Sequence, residues 1–466
     1  MSDSFFSWQK LTEICAGRWL LPPPSSRTGV NAVQDNSREL RPGALFVAIA
    51  GELTDGHRYL LQAVQAGAAA LCVQRELTVE ERSAAEAAGC ACLRVADSLA
   101  TFQALARAHR LRFPALPVLG ITGSCGKTST KELCAAVLAQ RWPDRVLKTI
   151  GNTNNHFGVP RNLLRISSET AAAVIEMGSN HLGEIATLAK MVVPQHGLIC
   201  SIGAAHLEFF RDLRGVAEEK GDLLSLSAPD GVAFIPAEAE GSDILRAHAA
   251  LRRVITFGTS PEADMRCEYL GQCAGGYGLA LTWRENGERL EFTWPIGGEH
   301  QACNAAGAAA VGMIHGLSLA EVACGLQQCV LPDSRMAECD RAGIHWVNDA
   351  YNAGPDSMRA SITWFAEISR QVSTRILILG DMLELGEHCE AAHRDLLHWV
   401  REKMPNARVI TVGPRMAAPA AALELEHYPD TPTAKTALAG SFPKGSWVFL
   451  KASHGIGLDK FLPDGE

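Results

Sequence analysis

Short apolar runs alternate with longer amphipathic stretches over the first hundred residues of the chain. The apolar runs have the length and composition of buried strands, and the stretches between them have helical spacing. Thr78 stands three residues before Glu81, and this pair predicts a capping box at the start of a helix. The alternation indicates an α/β fold for this part of the chain. The predicted strands are 45–49 and 70–73, and the predicted helices are 58–66 and 78–88.

A second region begins where Pro114 and Pro117 interrupt the helical periodicity that ends near Arg112. An apolar strand follows at residues 118–122 and leads into a helix. The early strands of this region are separated by helices, whereas the later strands lie closer together along the chain. This pattern predicts a parallel sheet with a β-rich appendage. The further predicted strands are 174–176, 198–202, 233–235, 254–257 and 279–283.

A third region opens at Leu331-Pro-Asp-Ser334 and again alternates helical stretches with apolar runs. Its predicted strands are 376–379, 409–412 and 448–451, and a doubly wound, Rossmann-like domain has this pattern. At roughly 150 residues per domain, a chain of 466 residues has room for three domains. We therefore expect three α/β domains, at 1–113, 114–330 and 331–466.

Charge and composition exclude several classes of function. Hydrophobic residues make up 47% of the chain and charged residues 20%, as in ordinary globular proteins. The net charge is -8 with no long basic run, so we expect no nucleic-acid partner. No run approaches the roughly 18 to 20 uncharged apolar residues of a membrane helix, so we expect no membrane insertion.

The N-terminal residues and the cysteines predict a cytoplasmic location. Residues 1–21 carry Asp3, Lys10, Glu13 and Arg18, which interrupt the apolar segment that a signal peptide needs. The 14 cysteines are scattered, and no two CxxC pairs have the spacing of a zinc site. We expect reduced thiols rather than disulfides.

The strongest local motif is Gly120-Ile-Thr-Gly123-Ser-Cys-Gly126-Lys127-Thr128, which runs from a predicted strand into a predicted helix. Glycines let backbone N–H groups approach a polyphosphate, and the helix N-terminus favours negative charge. Lys127 would reach the terminal phosphates, and the Thr128 hydroxyl would bind magnesium. Ile121 stands where the usual phosphate-loop pattern has its first glycine. The context of strand, loop and helix nevertheless favours a phosphate site over an ordinary glycine-rich turn.

Two polar residues at strand ends extend this hypothesis to a metal site. Glu176 closes one predicted strand, and His206 follows the next. Because ligands bind at the carboxyl ends of strands in open parallel sheets, both side chains would lie beside the phosphate loop. Lys220, by contrast, has the spacing of a surface lysine on an acidic helix. The run Gly151-Asn-Thr-Asn-Asn155 is either a polar loop or a set of amides directed at a ligand.

The sequence resembles the ATP-dependent Mur ligases, which add amino acids to the UDP-linked muramoyl precursor of the bacterial cell wall, over nearly its whole length. Four strings resemble the members that join D-alanyl-D-alanine to UDP-N-acetylmuramoyl-tripeptide, and the Asp-Asn-Pro-Arg string of the tripeptide-forming members is absent. The short phosphate loop is also the family's own. The four strings begin at Gly151, Glu176, Asn348 and Gly380.

The resemblance implies a role for each matched residue. Lys127, Lys220, His206 and Arg335 would be catalytic. Lys220 would react with carbon dioxide to give a carbamate that supports a second magnesium ion. The ATP site would comprise Gly123, Ser124, Cys125, Gly126, Lys127, Thr128, Ser129, Asn304, Arg335 and Asp349, and the metal ligands would be Thr128, Glu176, His206 and Lys220. The substrate-binding residues would be Ser37, Arg38, Asp55, Asn152, Asn155, Tyr351 and Asn352.

The resemblance also assigns a task to each domain. Residues 1–113 would bind the UDP-precursor, 114–330 ATP, and 331–466 would complete the ligase site. The expected cofactors are ATP and two Mg²⁺ ions, the other substrates are UDP-N-acetylmuramoyl-tripeptide and D-alanyl-D-alanine, and we expect a monomer. Rival hypotheses are a folylpolyglutamate synthetase, a small-molecule kinase and a non-catalytic nucleotide-binding module.

Four positions depart from the family's usual pattern. Cys125 stands where asparagine is commoner, Ser334 replaces a glycine before Arg335, and Asn348 stands where an acidic residue is frequent. We expect these three to be tolerated. His454 replaces an arginine and removes a permanent positive charge, since histidine is only partly protonated near neutral pH.

Overall fold

The computed structural model describes residues 5–51, 54–204, 207–332 and 334–463, and these residues are arranged around three large β-sheets. The first sheet has five strands, the second nine and the third six. We refer to the parts of the chain built on these sheets as the first, middle and third units.

The first unit carries a mainly parallel sheet in the order β2-β7-β6-β5-β4, with β2 antiparallel to β7. Leu45 and Val47 are buried on one face of β5, and Phe46 is buried on the other, so both faces of the sheet are covered. The elements are β1 (Phe6–Ser7), α1 (Trp8–Cys15), β2 (Arg18–Leu21), β3 (Gly29–Val30), β4 (Val33–Gln34), β5 (Leu45–Val47), a 3-10 turn (Gly56–Tyr59), α2 (Leu60–Gln65), β6 (Ala70–Val73), α3 (Val79–Ala87), β7 (Ala91–Arg94) and α4 (Ser98–Arg110).

The middle unit carries a sheet in the order β16-β15-β14-β13-β12-β11-β8-β10-β9. Strands β8 to β14 are parallel, and β14, β15 and β16 are antiparallel. The elements are β8 (Val118–Thr122), α5 (Lys127–Ala139), β9 (Val146–Lys148), α6 (Gly158–Leu163), β10 (Ala172–Glu176), α7 (Glu184–Val192), β11 (His196–Ile199), α8 (Leu207–Phe210), α9 (Leu213–Ser225), β12 (Val232–Pro236), α10 (Ser242–Ala249), β13 (Arg253–Gly258), β14 (Met265–Cys273), β15 (Gly276–Trp283), β16 (Glu288–Trp294), α11 (Glu299–Ile314) and α12 (Leu319–Gln328).

The third unit carries a sheet in the order β17-β18-β22-β19-β20-β21, parallel except for β17. Ile376 and Ile378 are buried on one face of β19, and Leu377 and Leu379 on the other, as in a doubly wound fold. The elements are β17 (Ala337–Arg341), β18 (Ile344–Asn348), α13 (Pro355–Ile368), β19 (Arg375–Gly380), 3-10 turns at Gly386–His388, His454–Ile456 and Leu458–Phe461, α14 (Cys389–Lys403), β20 (Arg408–Val412), α15 (Ala417–Ala422), β21 (Glu426–Tyr428), α16 (Thr431–Ala437) and β22 (Trp447–Lys451).

The first and middle units are joined by a buried arginine at the end of α4. Arg110 is 4% exposed, and its guanidinium donates to the carbonyls of Val192 (3.1 Å) and Val193 (3.2 Å) where α7 ends. It also donates to the carbonyls of Phe113 (2.6 Å) and Leu116 (3.4 Å) in the connecting segment. A cation at a helix C-terminus satisfies carbonyls that have no partner within the helix. This interface therefore fixes α4 on α7.

The α/β class and most predicted strands and helices are confirmed, with two differences in detail. Thr78 caps α3, and the Glu81 carboxylate accepts from the Thr78 backbone N–H, which confirms the capping box. The predicted helix at 58–66 begins instead with a 3-10 turn. The predicted β-rich part is present as β14 to β16, but these strands continue the nine-stranded sheet rather than forming a separate appendage. The domain boundaries after residues 113 and 330 stay predictions.

Two further observations concern the chain as a whole. All 14 cysteines lie in the described part of the chain, and none of them is paired in a disulfide. Among the described helices, none combines the length and apolar character needed to cross a membrane.

Candidate active site

A deep cleft of about 1110 Å³ lies where the middle and third units meet. Its walls include the loops at the carboxyl ends of β8, β10 and β11, the position at which open parallel sheets bind ligands. The third unit contributes the segments around Arg335, Tyr351 and His454. Residues far apart in sequence therefore face one enclosed space.

The phosphate loop takes the conformation that its glycines permit. Gly126 immediately precedes α5 and has a φ of 80°, a left-handed conformation that L side chains rarely adopt. A Cβ atom on Gly126 would lie 2.6 Å from Oδ1 of Asn304, so a larger residue would also displace that side chain. Lys127 Nζ donates to the loop carbonyls of Gly123 (2.7 Å) and Ser124 (3.2 Å). The loop is thus folded around Lys127, and Ser124, Cys125 and Ser129 line the cleft with it.

The hydroxyl of Thr128 lies between an acidic and a basic side chain. Its Oγ1 lies 3.0 and 3.1 Å from the two carboxylate oxygens of Glu176, which is 1% exposed at the end of β10. Arg335 of the third unit donates to the same Oγ1 over 2.8 Å. A hydroxyl and a carboxylate side by side are the oxygen donors that Mg²⁺ uses together with nucleotide phosphates and water. These two residues therefore fit the predicted magnesium site.

Lys220 lies inside the protein rather than on its surface. It is 1% exposed on α9, its Nζ donates to the Ser179 hydroxyl over 3.4 Å, and it lies 5.7 Å from the centre of the Phe210 ring. Burial and the nearby cation of Lys127 lower the pKa of Lys220 to about 7. The interpretation of Lys220 as an ordinary surface lysine is therefore wrong, and its amine loses its proton more readily than that of an exposed lysine.

The remaining predicted metal ligand, His206, lies outside the described residues. Within the described ranges, no group of three or more His, Cys, Asp or Glu side chains is placed to hold a metal ion. Among the described residues, Thr128 and Glu176 are the predicted metal ligands that are in direct contact with each other.

Asn304 lies on α11 at the edge of the phosphate loop. Its Oδ1 accepts from the Thr130 hydroxyl (3.2 Å), and its Nδ2 donates to Gln301 Oε1 (3.0 Å). His300, Phe257 and Asn304 line the same part of the cleft. An aromatic ring beside amide donors and acceptors suits a planar heterocyclic base.

Asp349 of the third unit is engaged within its own unit. Its carboxylate accepts from Lys451 Nζ (2.5 Å) and from the Ser361 hydroxyl (2.7 Å), and it also accepts from the backbone N–H of Met336 (3.2 Å). These contacts hold the start of β17 and the end of β22 together. A ribose contact at Asp349, as the resemblance implies, would therefore add to a carboxylate that is already anchored.

Tyr351 connects the third unit to the polar loop of the middle unit. The Arg335 guanidinium lies 3.9 Å from the centre of its ring, a cation–π contact, and both Tyr351 and Asn152 line the cleft. Burial raises the pKa of Tyr351. Asn352 and Asn155 also line the cleft, and Asn155 uses its Oδ1 to accept from the N–H groups of Phe157 and Gly158 at the start of α6.

The three residues predicted to bind the uridine end lie on the first unit and are not part of the cleft lining. Ser37 donates to Gln62 of α2 over 3.0 Å, and Asp55 caps the 3-10 turn that precedes α2. Arg38 is exposed, and its backbone N–H donates to Asn36. The structure therefore places these three residues outside the lining of the cleft that holds the phosphate loop.

Two of the departures from the family pattern contact each other. Ser334 has a φ of 68°, a left-handed conformation that explains why a glycine suits this position. Its hydroxyl accepts from Nδ2 of Asn348 over 3.1 Å, so the second departure stabilises the first. His454 is exposed in the cleft with its ring 5.9 Å from that of Tyr351.

The sequence analysis left Asn154 open, within a run that is either a polar loop or a set of amides, and it missed two further residues at this site, Asp356 and Lys131. Asn154 donates to Glu176 Oε1 over 2.8 Å, and Asp356 accepts from the backbone N–H of Ala204 across the cleft over 3.2 Å. Lys131 is fully buried beside Glu176. Asn154 and Asp356 lie inside strings that the resemblance rests on, whereas Lys131 carried no pattern of its own.

Comparison with known proteins gives matches over all three units. Residues 30–109 match the model described as Mur ligase family, catalytic domain, residues 121–312 match the Mur ligase middle domain, and residues 334–454 match the Mur ligase glutamate ligase domain. The chain is 32% identical to the UDP-N-acetylmuramoyl-tripeptide--D-alanyl-D-alanine ligase of Bacillus subtilis (strain 168), over 96% of this chain and 95% of that protein. It is 35% identical to the ligase of the same name from Escherichia coli (strain K12), over 88% and 86% of the two chains.

A solved structure has the same overall architecture. MurF from Acinetobacter baumannii superposes with a TM-score of 0.85 at 28% identity, covering 98% of this chain and 97% of that one. The sequence identities extend over nearly the full length of the relatives, and the phosphate loop, the buried Glu176 and the third-unit arginine converge on one cleft. The chain belongs to the Mur ligase family.

Proposed function

We propose that this protein is an ATP-dependent ligase that joins D-alanyl-D-alanine to UDP-N-acetylmuramoyl-tripeptide and releases ADP and phosphate. The observation that carries the proposal is the contact of Thr128 with both Glu176 and Arg335. It unites a phosphate loop, a metal-binding carboxylate and a cation from another unit. The relatives that match almost the full chain have names that specify this reaction.

In the proposed reaction the terminal carboxylate of the tripeptide attacks the γ-phosphorus of ATP, and the bond from that phosphorus to the bridging oxygen breaks. The products are an acyl phosphate and ADP. The amine of D-alanyl-D-alanine then attacks the acyl carbon, phosphate leaves, and the amine loses a proton. The first step brings two anions together, so cations at the site must reduce their repulsion.

The side chains around the phosphate loop provide those cations. Lys127 donates to the loop carbonyls and would exchange them for phosphate oxygens when ATP binds. Arg335 is within reach of the same phosphates because it contacts Thr128. Thr128 and Glu176 would hold one Mg²⁺ ion, which would neutralise charge on the phosphates.

We assign a second Mg²⁺ ion to His206 and a carbamate on Lys220. Carbamate formation requires a neutral amine, and the pKa of Lys220, lowered to about 7 by burial, supplies one near neutral pH. The reaction joins the amine nitrogen to carbon dioxide and releases one proton. The neutral amine thereby becomes an anion suited to a metal ion.

Water must be kept from the acyl phosphate, which it would hydrolyse. Contacts between Asp356 and Ala204 and between Arg335 and Thr128 bring the third unit over the phosphate loop. We assign to the third unit the role of a cover that completes the site and limits access of solvent. Tyr351 and Asn352 would then lie beside the incoming dipeptide.

The test is release of phosphate from Mg-ATP in the presence of UDP-N-acetylmuramoyl-tripeptide, with and without D-alanyl-D-alanine, followed by mass analysis. We expect release that needs both substrates and a UDP-linked pentapeptide as product. A stable phosphorylated product would indicate a kinase, and turnover with folate and glutamate would indicate a folylpolyglutamate synthetase. The absence of any turnover would leave the binding module.

The Lys127→Ala variant tests the phosphate loop in the same assay. It should lose turnover yet retain binding of the UDP-precursor, because Ser37, Arg38 and Asp55 lie outside the lining of the cleft. Retained turnover would contradict the role of Lys127. We also propose that the enzyme acts as a cytoplasmic monomer, which light scattering on the purified protein and fractionation of cells would test.

A further inference from the structure

A buried lysine that touches neither the cleft nor the proposed substrates lies behind the metal site. Lys131 is 0% exposed in α5, one helical turn beyond Lys127 and three residues after Thr128. A fully buried ammonium group is costly unless all its hydrogen bonds are satisfied. The groups that compensate the charge of Lys131 therefore indicate the role of this residue in the fold.

The ammonium group of Lys131 has two hydrogen-bond acceptors and an ion-pair partner. Nζ donates to the backbone carbonyls of Thr149 (2.9 Å) and Gly151 (3.0 Å), and it pairs with Oε1 of Glu132 (2.9 Å). The ammonium, which has three donors, therefore has two carbonyl acceptors and one ion-pair partner. Glu176 Oε2 lies 3.9 Å from Nζ, close enough for charge attraction but outside the hydrogen bonds.

The two carbonyls belong to the segment that holds Glu176 in place. Thr149 uses its hydroxyl to accept from the backbone N–H of Glu176 over 2.9 Å, and Asn154 donates from Nδ2 to the Glu176 carboxylate over 2.8 Å. The Gly178 backbone N–H also donates to the Asn154 carbonyl over 2.9 Å. Residues 149–154, which we call the anchor segment, therefore join Lys131 to Glu176.

We infer that Lys131 is a positioning residue, which fixes the anchor segment and through it the orientation of the Glu176 carboxylate toward the metal. This inference rests on the metal site of the proposed function but not on the ligase reaction. Lys131 contacts the anchor segment through the main-chain carbonyls of Thr149 and Gly151, and Asn154 of that segment contacts the carboxylate of Glu176. Neither Lys131 nor its partner Glu132 lines the cleft among the described residues.

A role through charge alone predicts the opposite result from a role in positioning. Removing a positive charge 3.9 Å from Glu176 would by itself strengthen the attraction of that carboxylate for a divalent cation. Loss of the anchor would instead displace the carboxylate and weaken metal binding. The direction of the change in metal affinity therefore separates the two roles.

The experiment compares binding of a non-hydrolysable ATP analogue in Mn²⁺ and in EDTA by isothermal titration calorimetry. The ratio of the two dissociation constants is the advantage that the metal confers. For Lys131→Met we expect this advantage to fall about 10- to 100-fold, the usual effect of losing a partner that orients a metal ligand. Binding in EDTA should change little, whereas general damage to the protein would weaken both.

Lys148→Met is the matched control. Lys148 pairs with the same Glu132 carboxylate and contributes the same charge, but its side chain is 47% exposed and donates to neither carbonyl of the anchor segment. We expect the metal advantage in this variant to equal that of the wild type. An equal loss in both variants would overturn the inference, because Lys148 does not donate to the anchor segment and the loss could then not come from that contact.

Loss of Lys131 leaves Glu132 with only one of its two cations, and Lys131→Met could therefore fail to fold. In that case, a second substitution that also removes the charge of Glu132 restores the balance. The double variant Lys131→Met with Glu132→Gln is then compared with Glu132→Gln alone. The double variant should keep the melting temperature of its reference but lose the metal advantage. Equal metal advantages in these two proteins would overturn the inference.

The outcome for the wild type distinguishes the inference from the proposed function. A wild-type protein whose nucleotide affinity does not depend on Mn²⁺ would refute the metal site at Thr128 and Glu176, and this inference with it. A wild type that shows the advantage, with an unchanged or larger advantage in Lys131→Met, would refute the role of Lys131 alone.

Discussion

Replacement of Arg110 by methionine tests how firmly the first unit is fixed to the middle unit. The guanidinium donates to four carbonyls, three of them at 2.6 to 3.2 Å and the fourth at 3.4 Å. Each good bond contributes a net stabilisation of about 1 kcal/mol, so the three shorter bonds amount to about 3 kcal/mol. Methionine retains most of the apolar stem, and the loss of packing should therefore be small.

The assay is thermal unfolding of the purified protein. For a unit of about 150 to 250 residues, such as the middle unit, a loss of about 3 kcal/mol corresponds to a fall of about 6 to 12 °C in Tm. Arg107→Met is the control, because Arg107 is exposed and makes one comparable bond, to the Lys190 carbonyl at 3.1 Å. A change in Tm for Arg110→Met no larger than that of the control would refute the reasoning. In the ligase assay, Arg110→Met should raise the KM for the UDP-precursor more than the KM for ATP.

Three other predictions concern single charges. Glu176→Gln should raise the Mg²⁺ concentration for half-maximal activity by about tenfold or more, because an amide is a weaker ligand than a carboxylate; an unchanged Mg²⁺ requirement would remove Glu176 from the metal site. The hydrogen bond from Arg75 lowers the pKa of Glu81 to about 2 from 4.5, against the effect of burial, so its contribution to stability is present above pH 4.5 and is lost as the pH falls toward 2. Unfolding of Glu81→Gln should therefore depend less on pH in that range, and parallel curves for the two proteins would count against the pairing. Lys220→Met should abolish the carbamate resonance that isotopically labelled bicarbonate gives in NMR spectra of the wild type, and absence of that resonance from the wild type would exclude carbamylation.

Strand order and strand ends made much of the site predictable. Lys127 follows a strand and opens a helix, and Glu176 closes the strand that pairs with it, so the topology alone brings the two near each other. The positions of residues at strand ends and helix starts can be predicted, because the hydrophobic periodicity of the sequence reveals the strands and helices themselves. The meeting of Thr128 and Glu176 follows from the same rule.

Buried cations were not predictable in this way. Lys131 bonds to carbonyls 18 and 20 residues away, and Arg110 bonds to carbonyls 82 and 83 residues away. A lysine or arginine on a helix usually faces solvent, and only the tertiary structure brings an irregular set of carbonyls to it. For Lys220, the spacing favoured the surface as well, and only the resemblance indicated otherwise.

The left-handed backbone conformation of Ser334 could not be predicted from the sequence either. Ser334 and Asn348 were expected to be separate, tolerated departures, yet one donates to the other beside a left-handed backbone. A left-handed serine is unfavourable by roughly 1 kcal/mol relative to glycine. The hydrogen bond from Asn348 offsets part of that cost, which neither position reveals on its own.

The contact between α4 and α7 should make the enzyme selective for the length of its substrate. If the uridine end is held near Ser37 and Asp55, as we propose, its separation from the phosphate loop cannot adjust, because Arg110 ties the two units together. One residue spans at most about 3.3 to 3.6 Å, so a precursor with one residue fewer would present its carboxylate short of the γ-phosphate. Such a dipeptide precursor should bind without being activated, and the enzyme would reject it by reach rather than by recognition of its side chains.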